Sequence, residues 1–425
     1  SPQARPPKGN VRALDQNFGS RESRCSSASI LKIDIAFFWD MVFHIVPKEE
    51  PMRKAQNWNQ PCPNTECCQY GHKNQGNIRC IASYMTQSGK RRIFECTRCG
   101  EQFSETRDTV FFDLKTGEDK VMMALKMILV RVSLTNISFV LGVKAETVLG
   151  WLERAAHKAE EINGVLLNEL PVTVVQLDEM WSFVRRKVSE EADGELESPS
   201  EANDGRQWVW LSYAPEFRLI LGTVVGPRTY ETALKLIDVT ARIVLGIPVF
   251  FSDGFSTYLQ ALVACYHTLT TFPRTGKPGR PRKPVKVPHP DLVYGQVIKR
   301  KRQGRLVKVT TRIICGAKRL TSLGLTISTS LLERLNLTFR QSLAPLVRKT
   351  LSFSKERTHL QQQTCFFQAF YNVARPHMSL RVQLTDNIAR FEQRWTQKTP
   401  AMAAGITDHV WTFRELLTVK LGHVP

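Results

Sequence analysis

Hydrophobic positions along the chain follow two periods, and the switch between them divides it. Over residues 117–162 apolar side chains recur at helical spacing (Val121, Leu125, Ile128, Leu129, Val132), which predicts a group of helices. Within that stretch Ile137-Ser138-Phe139-Val140-Leu141-Gly142-Val143 precedes Thr147-Val148-x-x-Trp151-Leu152. Gly142 stands where a helix-turn-helix needs a left-handed residue, and Ser138 is small enough for close helix crossing. Val148 and Trp151 would pack the second helix, leaving Lys144, Glu146 and Thr147 for a DNA groove. An ordinary helical hairpin has the same pattern. After Pro171 the pattern becomes that of buried strands. Val172-Thr173-Val174-Val175-Gln176-Leu177 runs into Asp178-Glu179-Met180-Trp181, and Ile247-Pro248-Val249-Phe250-Phe251 ends in Ser252-Asp253-Gly254. Between them Trp208-Val209-Trp210-Leu211 and residues 219–225 predict a hairpin, and residues 230–245 a helix. A further helix carries Ser330-Leu331-Leu332-Glu333-Arg334-Leu335-Asn336, with Glu333, Asn336 and Arg340 on one face.

Composition narrows the class. A chain of 425 residues, 42% hydrophobic, excludes wholesale disorder, and at roughly 100–200 residues per domain it holds two to four domains. No uninterrupted apolar run of about 18 residues exists; residues 30–46 come nearest and are broken by Lys32, Asp34, Asp40 and His44. The chain starts at Ser1 and shows no signal-peptide pattern, so a soluble intracellular setting is expected: cytoplasmic, and nucleoid-associated in a prokaryote. Lys and Arg number 59 against 39 Asp and Glu, a net +20 that calls for a polyanionic partner, nucleic acid before a membrane surface.

Six of the ten cysteines fall between Cys62 and Cys99, a clustering that points to metal ligation rather than disulfides. Cys62-x4-Cys67 and Cys96-x2-Cys99 form two knuckles 28 residues apart, enough to complete a tetrahedral, structural Zn²⁺ site. Cys68 or Cys80 could replace Cys67, and His72 is also near. Tyr84, Arg91-Arg92-Ile93-Phe94 and Phe103 read as the short strands of a zinc ribbon. Cys265, Cys315 and Cys365 read as buried hydrophobes.

Charge is unevenly spread. Residues 189–204 carry seven acids and no base and read as a solvated loop; residues 274–308 carry twelve Lys/Arg and one Asp. The proline-spaced start of that basic stretch, Pro273-Arg274-Thr275-Gly276-Lys277-Pro278-Gly279-Arg280-Pro281-Arg282-Lys283-Pro284, predicts an extended loop along a phosphate backbone. Gly279-Arg280-Pro281 also has the form of a minor-groove AT-hook.

An acid in a buried strand costs several kcal/mol unless a cation attends it, which singles out Asp178 and Asp253. Glu333 is ambiguous, since Ser330-x-x-Glu333 also matches a helix capping box. A resemblance adds to this. VVQLDEMWSFV, GTVVGPRTYETALKLI, VFFSDGFSTY and LLERLNLTFRQSLAPLVRKTLSFSKE look like the catalytic domain of Insertion Sequence One family transposases, in order over residues 171–359. The acidic 189–204 loop and the basic 274–308 insertion are longer than in compact members of that family. The resemblance implies an α/β catalytic domain with a ribonuclease-H-like mixed sheet flanked by helices, preceded by a small zinc ribbon and an all-α helix-turn-helix. It assigns an Asp-Asp-Glu triad to Asp178, Asp253 and Glu333, which would hold two Mg²⁺ (or Mn²⁺) ions, Asp178 bridging them. Such a pair of hard cations suits in-line phosphodiester displacement. Glu179 lies on the other side of the strand by alternation and is the weaker candidate ligand. Asn336, Arg340 and Lys355 would touch the substrate strand, and Arg348 and Lys349 phosphates; Lys144, Thr147, Arg280, Arg282 and Lys283 complete the expected DNA contacts. Tyr371-Asn372-x-x-Arg375-Pro376-His377 reads as the end of the domain, with His377 packed rather than metal-bound.

The expected layout is thus a poorly ordered arm (1–52), a zinc ribbon (53–110), a helix-turn-helix (111–169), a catalytic domain (170–385) with an acidic loop (189–205) and a basic insertion (273–308), and a tail without assigned role (386–425). The expected partners are double-stranded DNA, at transposon ends and target, and further copies of the chain, since two ends must be held together in a homodimer or larger synaptic assembly; no membrane is expected. Two other readings stand beside the transposase: a domesticated or regulatory protein using only the DNA-reading modules, and a nuclease or junction resolvase without strand transfer.

Overall fold

The computed structural model describes residues 58–185, 205–272, 283–303, 305–383 and 395–420. The arm, most of the acidic loop, Arg280 and Arg282 therefore lie outside the described residues.

An antiparallel sheet comes first: β1 (Ile78–Thr86), β2 (Gly89–Cys96) and β3 (Gln102–Ser104). Among the described residues its core holds Cys62, Cys67, Ile78, Phe94, Cys96 and Phe103, with Trp58 packed on Phe94. So small a core does not stabilise a module unaided. Three helices follow, α1 (Glu118–Leu129), α2 (Leu134–Leu141) and α3 (Ala145–Leu166). The Ser133 hydroxyl accepts from Asn136 N at 3.2 Å and opens α2. Gly142 closes it at φ 60°, ψ 43°, and a Cβ there would meet nothing within 4 Å. Backbone conformation, not space, therefore selects glycine at this turn. Val148 and Trp151 are buried on α3, while Lys144, Glu146 and Thr147 stand exposed at its start.

The main sheet is built from β4 (Val174–Val184), β5 (Gly205–Ala214), β6 (Leu219–Gly226), β7 (Val249–Asp253), β10 (Val293–Arg302) and β11 (Arg305–Cys315), in the order β11-β10-β7-β4-β5-β6. β4, β7 and β10 run parallel, and β5, β6 and β11 are antiparallel to their neighbours. Helices α4 (Tyr230–Ile243) and α5 (Thr257–Cys265) cover one face. After the short α6 (Ala317–Ser322), α7 (Ser330–Ser342) and α8 (Arg357–Ala369) cover the other, in a hydrophobic cluster that also takes in α1, α2 and α3. A mixed sheet with flanking helices is consistent with the expected ribonuclease-H-like fold.

Two expectations are corrected. The apolar run expected as a strand over residues 172–177 supplies only the first part of β4, which runs on to Val184; what ends at Asp178 is the parallel pairing with β7, whose last pair is Leu177 with Ser252. The basic stretch is not one loop either. Residues 285–288 form β9 (Val285–Pro288), paired with β8 (His267–Thr270), and β10 enters the sheet through Val293-Tyr294-Gly295-Gln296-Val297. The apolar alternation of that segment outweighs the charges that follow it.

Edge strand β6 is covered rather than open. Gln361 accepts from Val225 N (2.7 Å) and donates to Thr223 O (3.2 Å); Gln368 donates to Leu221 O (3.0 Å); Asn372 brackets Ile220 through its N (3.0 Å) and O (2.8 Å). Amides spaced along α8 and the residues after it thus satisfy the edge. The chain then returns through α9 (Pro400–Ala403) and α10 (Phe413–Thr418), where Leu416 and Leu417 enter the same core as α1 and Arg414 shares Glu118 with Arg91. Among the described residues no helix is long and apolar enough to cross a membrane.

Candidate metal and catalytic sites

The two cysteine knuckles meet. Cys62, Cys67, Cys96 and Cys99 bring their sulfur atoms within 4.8 Å of one another, with Cys62–Cys99 at 3.6 Å and Cys67–Cys96 at 3.9 Å. Zinc–thiolate bonds of about 2.3 Å place tetrahedral sulfurs about 3.8 Å apart, so four thiols at this spacing could hold one ion. Burial opposes ionisation at Cys96, yet the backbone N–H groups of Arg98 and Cys99 and the Asn77 amide (3.2 Å) bring its thiol down to about 7. Burial pushes the Cys62 thiol up instead. Cys68 and Cys80 are exposed and, like His72, stay out of the cluster.

The second cluster is made of carboxylates. Asp178 and Asp253 sit on neighbouring parallel strands, and their oxygens lie with one of Glu179 within 4.8 Å of one another. Asp178 Oδ1 accepts from Glu179 N (2.9 Å) and Oδ2 from Asn336 Nδ2 (2.6 Å). Gln176, buried two residues earlier, explains how Asn336 arrives there: it donates to Ser328 O (2.8 Å) and accepts from Leu332 N (3.0 Å), pinning the start of α7 to β4. Asp253 Oδ1 accepts from Phe255 N (3.2 Å) in the turn after β7. Burial, then the neighbouring Asp253, pushes the Asp178 carboxyl up to about 6. Neither aspartate forms an ion pair among the described residues.

Glu179 obeys strand alternation and points to the opposite face, against α5. Its side chain is 1% exposed; Arg228 clamps Oε1 with Nε (2.9 Å) and Nη2 (2.5 Å), and Tyr258 donates to Oε2 at 2.9 Å. Arg228 itself lies over the rings of Phe255 (4.2 Å) and Trp208 (4.9 Å). Burial and Asp253 push the Glu179 carboxyl up to about 7 against the pull of that guanidinium. The two partners of this buried acid, the exposed Arg228 and the buried Tyr258, escaped the sequence reading, although a buried acid should have prompted a search for its cation.

Glu333 stands apart from the converging carboxylates. It is exposed on α7, bound by Lys299 of β10 and by Thr329 Oγ1 (3.0 Å), and no capping box with Ser330 forms. Asn336 lies beside Asp178 with its Oδ1 buried and unpartnered. Arg340 is half-buried; burial, then Arg348, lowers its pKa while Asp178 raises it. Lys144, Thr147, Lys283, Arg348, Lys349 and Lys355 are exposed. His377 packs edge-on to Tyr371, and burial together with Arg218, Arg334 and Arg375 pushes it down to about 4.

Neither a family model nor a curated protein matches the sequence. Among solved structures the chain is similar to the Mos1 strand transfer complex (13% identity, TM-score 0.15, 35% of this chain, 54% of that one). It is likewise similar to a Mos1 transposase paired-end complex with the left transposon end (14% identity, TM-score 0.14, 35% and 56%). The chain spans little more than half the length of these proteins, and at these scores the likeness carries no argument about chemistry or partners.

Proposed function

We propose that the chain is a DNA transposase of the Insertion Sequence One type. It binds the terminal inverted repeats of its element through the ribbon, with one structural Zn²⁺, and through the helix-turn-helix. It cleaves and rejoins phosphodiesters at Asp178, Asp253 and Glu333. The observation that carries the reading is the pairing of Asp178 with Asp253: two carboxylates side by side at the end of a parallel strand pair, with no protein cation bonded to either among the described residues. Like charges so placed repel, and a hard divalent cation with oxygen ligands relieves them. The donor set fits such an ion, since the orphaned Asn336 Oδ1 adds a further buried oxygen beside Asp178.

When bound, a pair of Mg²⁺ or Mn²⁺ ions supplies a deprotonated nucleophile and offsets charge on the leaving oxygen. The chain's own residues do the positioning. Asn336 holds Asp178 in one rotamer, and Gln176 holds α7 over it. Glu333 precedes Asn336 by one helical turn and joins the aspartates once a phosphate takes over Lys299. Arg340 and Lys355 meet the substrate strand. Water attacks at the element's end and frees a 3′-OH, which then attacks a target phosphodiester and displaces its 3′ oxygen.

Strand transfer tests this. Purified full chain, Mg²⁺ and a labelled duplex carrying the repeat that borders the element should give joined products. Asp253→Asn should lower the yield at least about 10³-fold, some 4 kcal/mol of barrier. A variant as active as the parent would show the site is wrong; repeat binding without any cleavage would favour the regulatory reading.

A further inference from the structure

β10 and β11 outrun the sheet they belong to. β7 stops at Asp253, opposite Val297, and β11 is the outermost strand, so among the described residues Ile298 to Thr310 of the two strands pair only with each other. They form a free two-stranded ribbon rooted beside Asp253. Arg302 lies five residues past Val297, which carries the ribbon about 16 Å beyond the carboxylates. Residues 292–315 hold seven Lys/Arg and no acid.

The two faces differ. Partners across an antiparallel pair share a face. Gly295 with Ile313 and Lys299 with Val309 look toward α7, where a Cβ on Gly295 would lie 2.8 Å from Ile327 and where Lys299 reaches Glu333. Gln296 with Arg312 and Arg300 with Lys308 look the other way, and Arg302 with Arg305 close the tip. Arg300, Arg302, Arg305, Lys308 and Arg312 are exposed and form no ion pair among the described residues. A second copy laid on this edge would oppose like charge to like charge, whereas a polyanion would meet five unsatisfied cations.

We propose that the β10–β11 ribbon is a DNA-docking arm that lies in the major groove of the duplex being cut, with Arg300, Lys308 and Arg312 on its phosphates. A two-stranded ribbon has the width that groove admits. The proposal deepens the transposase reading and rests on it for the identity of the polyanion and for the bond that is cut. At 3.4 Å per base pair, the arm covers about five base pairs adjoining the scissile phosphodiester.

The test is binding of the full chain to a random-sequence 30-base-pair duplex across a salt series. R300A/K308A/R312A removes three phosphate contacts, so the slope of log K against log salt should become shallower by about 2.7. On a second duplex that carries the element's bordering repeat, hydroxyl-radical protection of about five base pairs next to the cut should disappear. An unchanged slope, or equal binding of duplex RNA, overturns the arm. Should the triple variant melt early, the three single substitutions decide, each expected to lower the slope by about 0.9. The two readings fail separately: a chain that cleaves but whose slope ignores the ribbon loses only the arm, and one whose ribbon grips DNA but never cuts loses only the transposase.

Discussion

The thiol cluster and the carboxylate cluster are both groups of convergent metal-binding side chains, yet they are built in opposite ways. The four cysteines come from two short knuckles, three of them are buried, and two of their sulfur pairs sit near the edge length of a single tetrahedron. Asp178 and Asp253 come from strands 75 residues apart in sequence and keep their repulsion. The third acid of the proposed triad is held aside by Lys299. A site that exists to hold a fold closes on its ion. One that exists to do chemistry leaves charge unbalanced and ligands to be supplied by substrate.

Removing metal should therefore act on different quantities at the two centres. At the thiol cluster, Cys96→Ser or a chelator in reducing buffer should take bound zinc from one equivalent to none and open residues 58–104 to protease. Small zinc modules draw about 10–16 kcal/mol from their ion, and a core of six buried residues does not replace it. A compact, protease-resistant ribbon in zinc-free Cys96→Ser would erase the contrast. Asp253→Asn should leave the melting temperature unchanged or raised while abolishing cleavage.

A smaller effect separates Glu179 from the aspartates beside it. If Glu179 is held by Arg228 rather than reserved for an ion, Arg228→Ala strands a buried charge and should cost about 2–4 kcal/mol, less than a fully buried pair because Arg228 is 39% exposed. Adding Glu179→Gln should recover most of that loss in chemical denaturation. No recovery would mean that Glu179 does not depend on Arg228.

The smallest effect is one of pH. The Asp178 carboxyl titrates near 6 in the folded chain and near 3.8 when unfolded, so its ionised form weakens the cation-free fold above about pH 6, and protonation relieves that weakness as pH falls. Asp178→Asn should melt roughly 1–3 °C higher than the parent at pH 7 without divalent ions. The gap should shrink as pH approaches about 4, and a gap that does not change with pH would show that Asp178 carries no such burden.

Much of this was legible in the chain. The cysteine spacing, Gly142, and the aspartates following apolar runs all depend on neighbours close in sequence, where period and residue type speak directly. What the sequence hid depends on pairings between distant segments. Nothing near Glu333 announces Lys299, and nothing near Glu179 announces Arg228 and Tyr258. The basic stretch misled because its charges drew attention from Val293-Tyr294-Gly295-Gln296-Val297, an ordinary buried strand. Nothing near Gln361, Gln368 and Asn372 in sequence announces β6, and only the position of that strand turns them into an edge seal.

The 22-residue α3 has one more consequence. Its first turn presents Lys144 and Thr147, while its later turns are packed on α8, with Cys365 Sγ against Ala156 O at 3.9 Å. The helix is about 33 Å long, and its buried face belongs to the same hydrophobic cluster as Met180 and Val184 of the strand that carries Asp178. Under the proposed function this makes α3 a ruler. The interval between the bases it reads and the bond that is cut would be fixed by side-chain packing rather than by the play of a tether, and an element whose repeat drifted by a base pair or two would be bound yet left uncut.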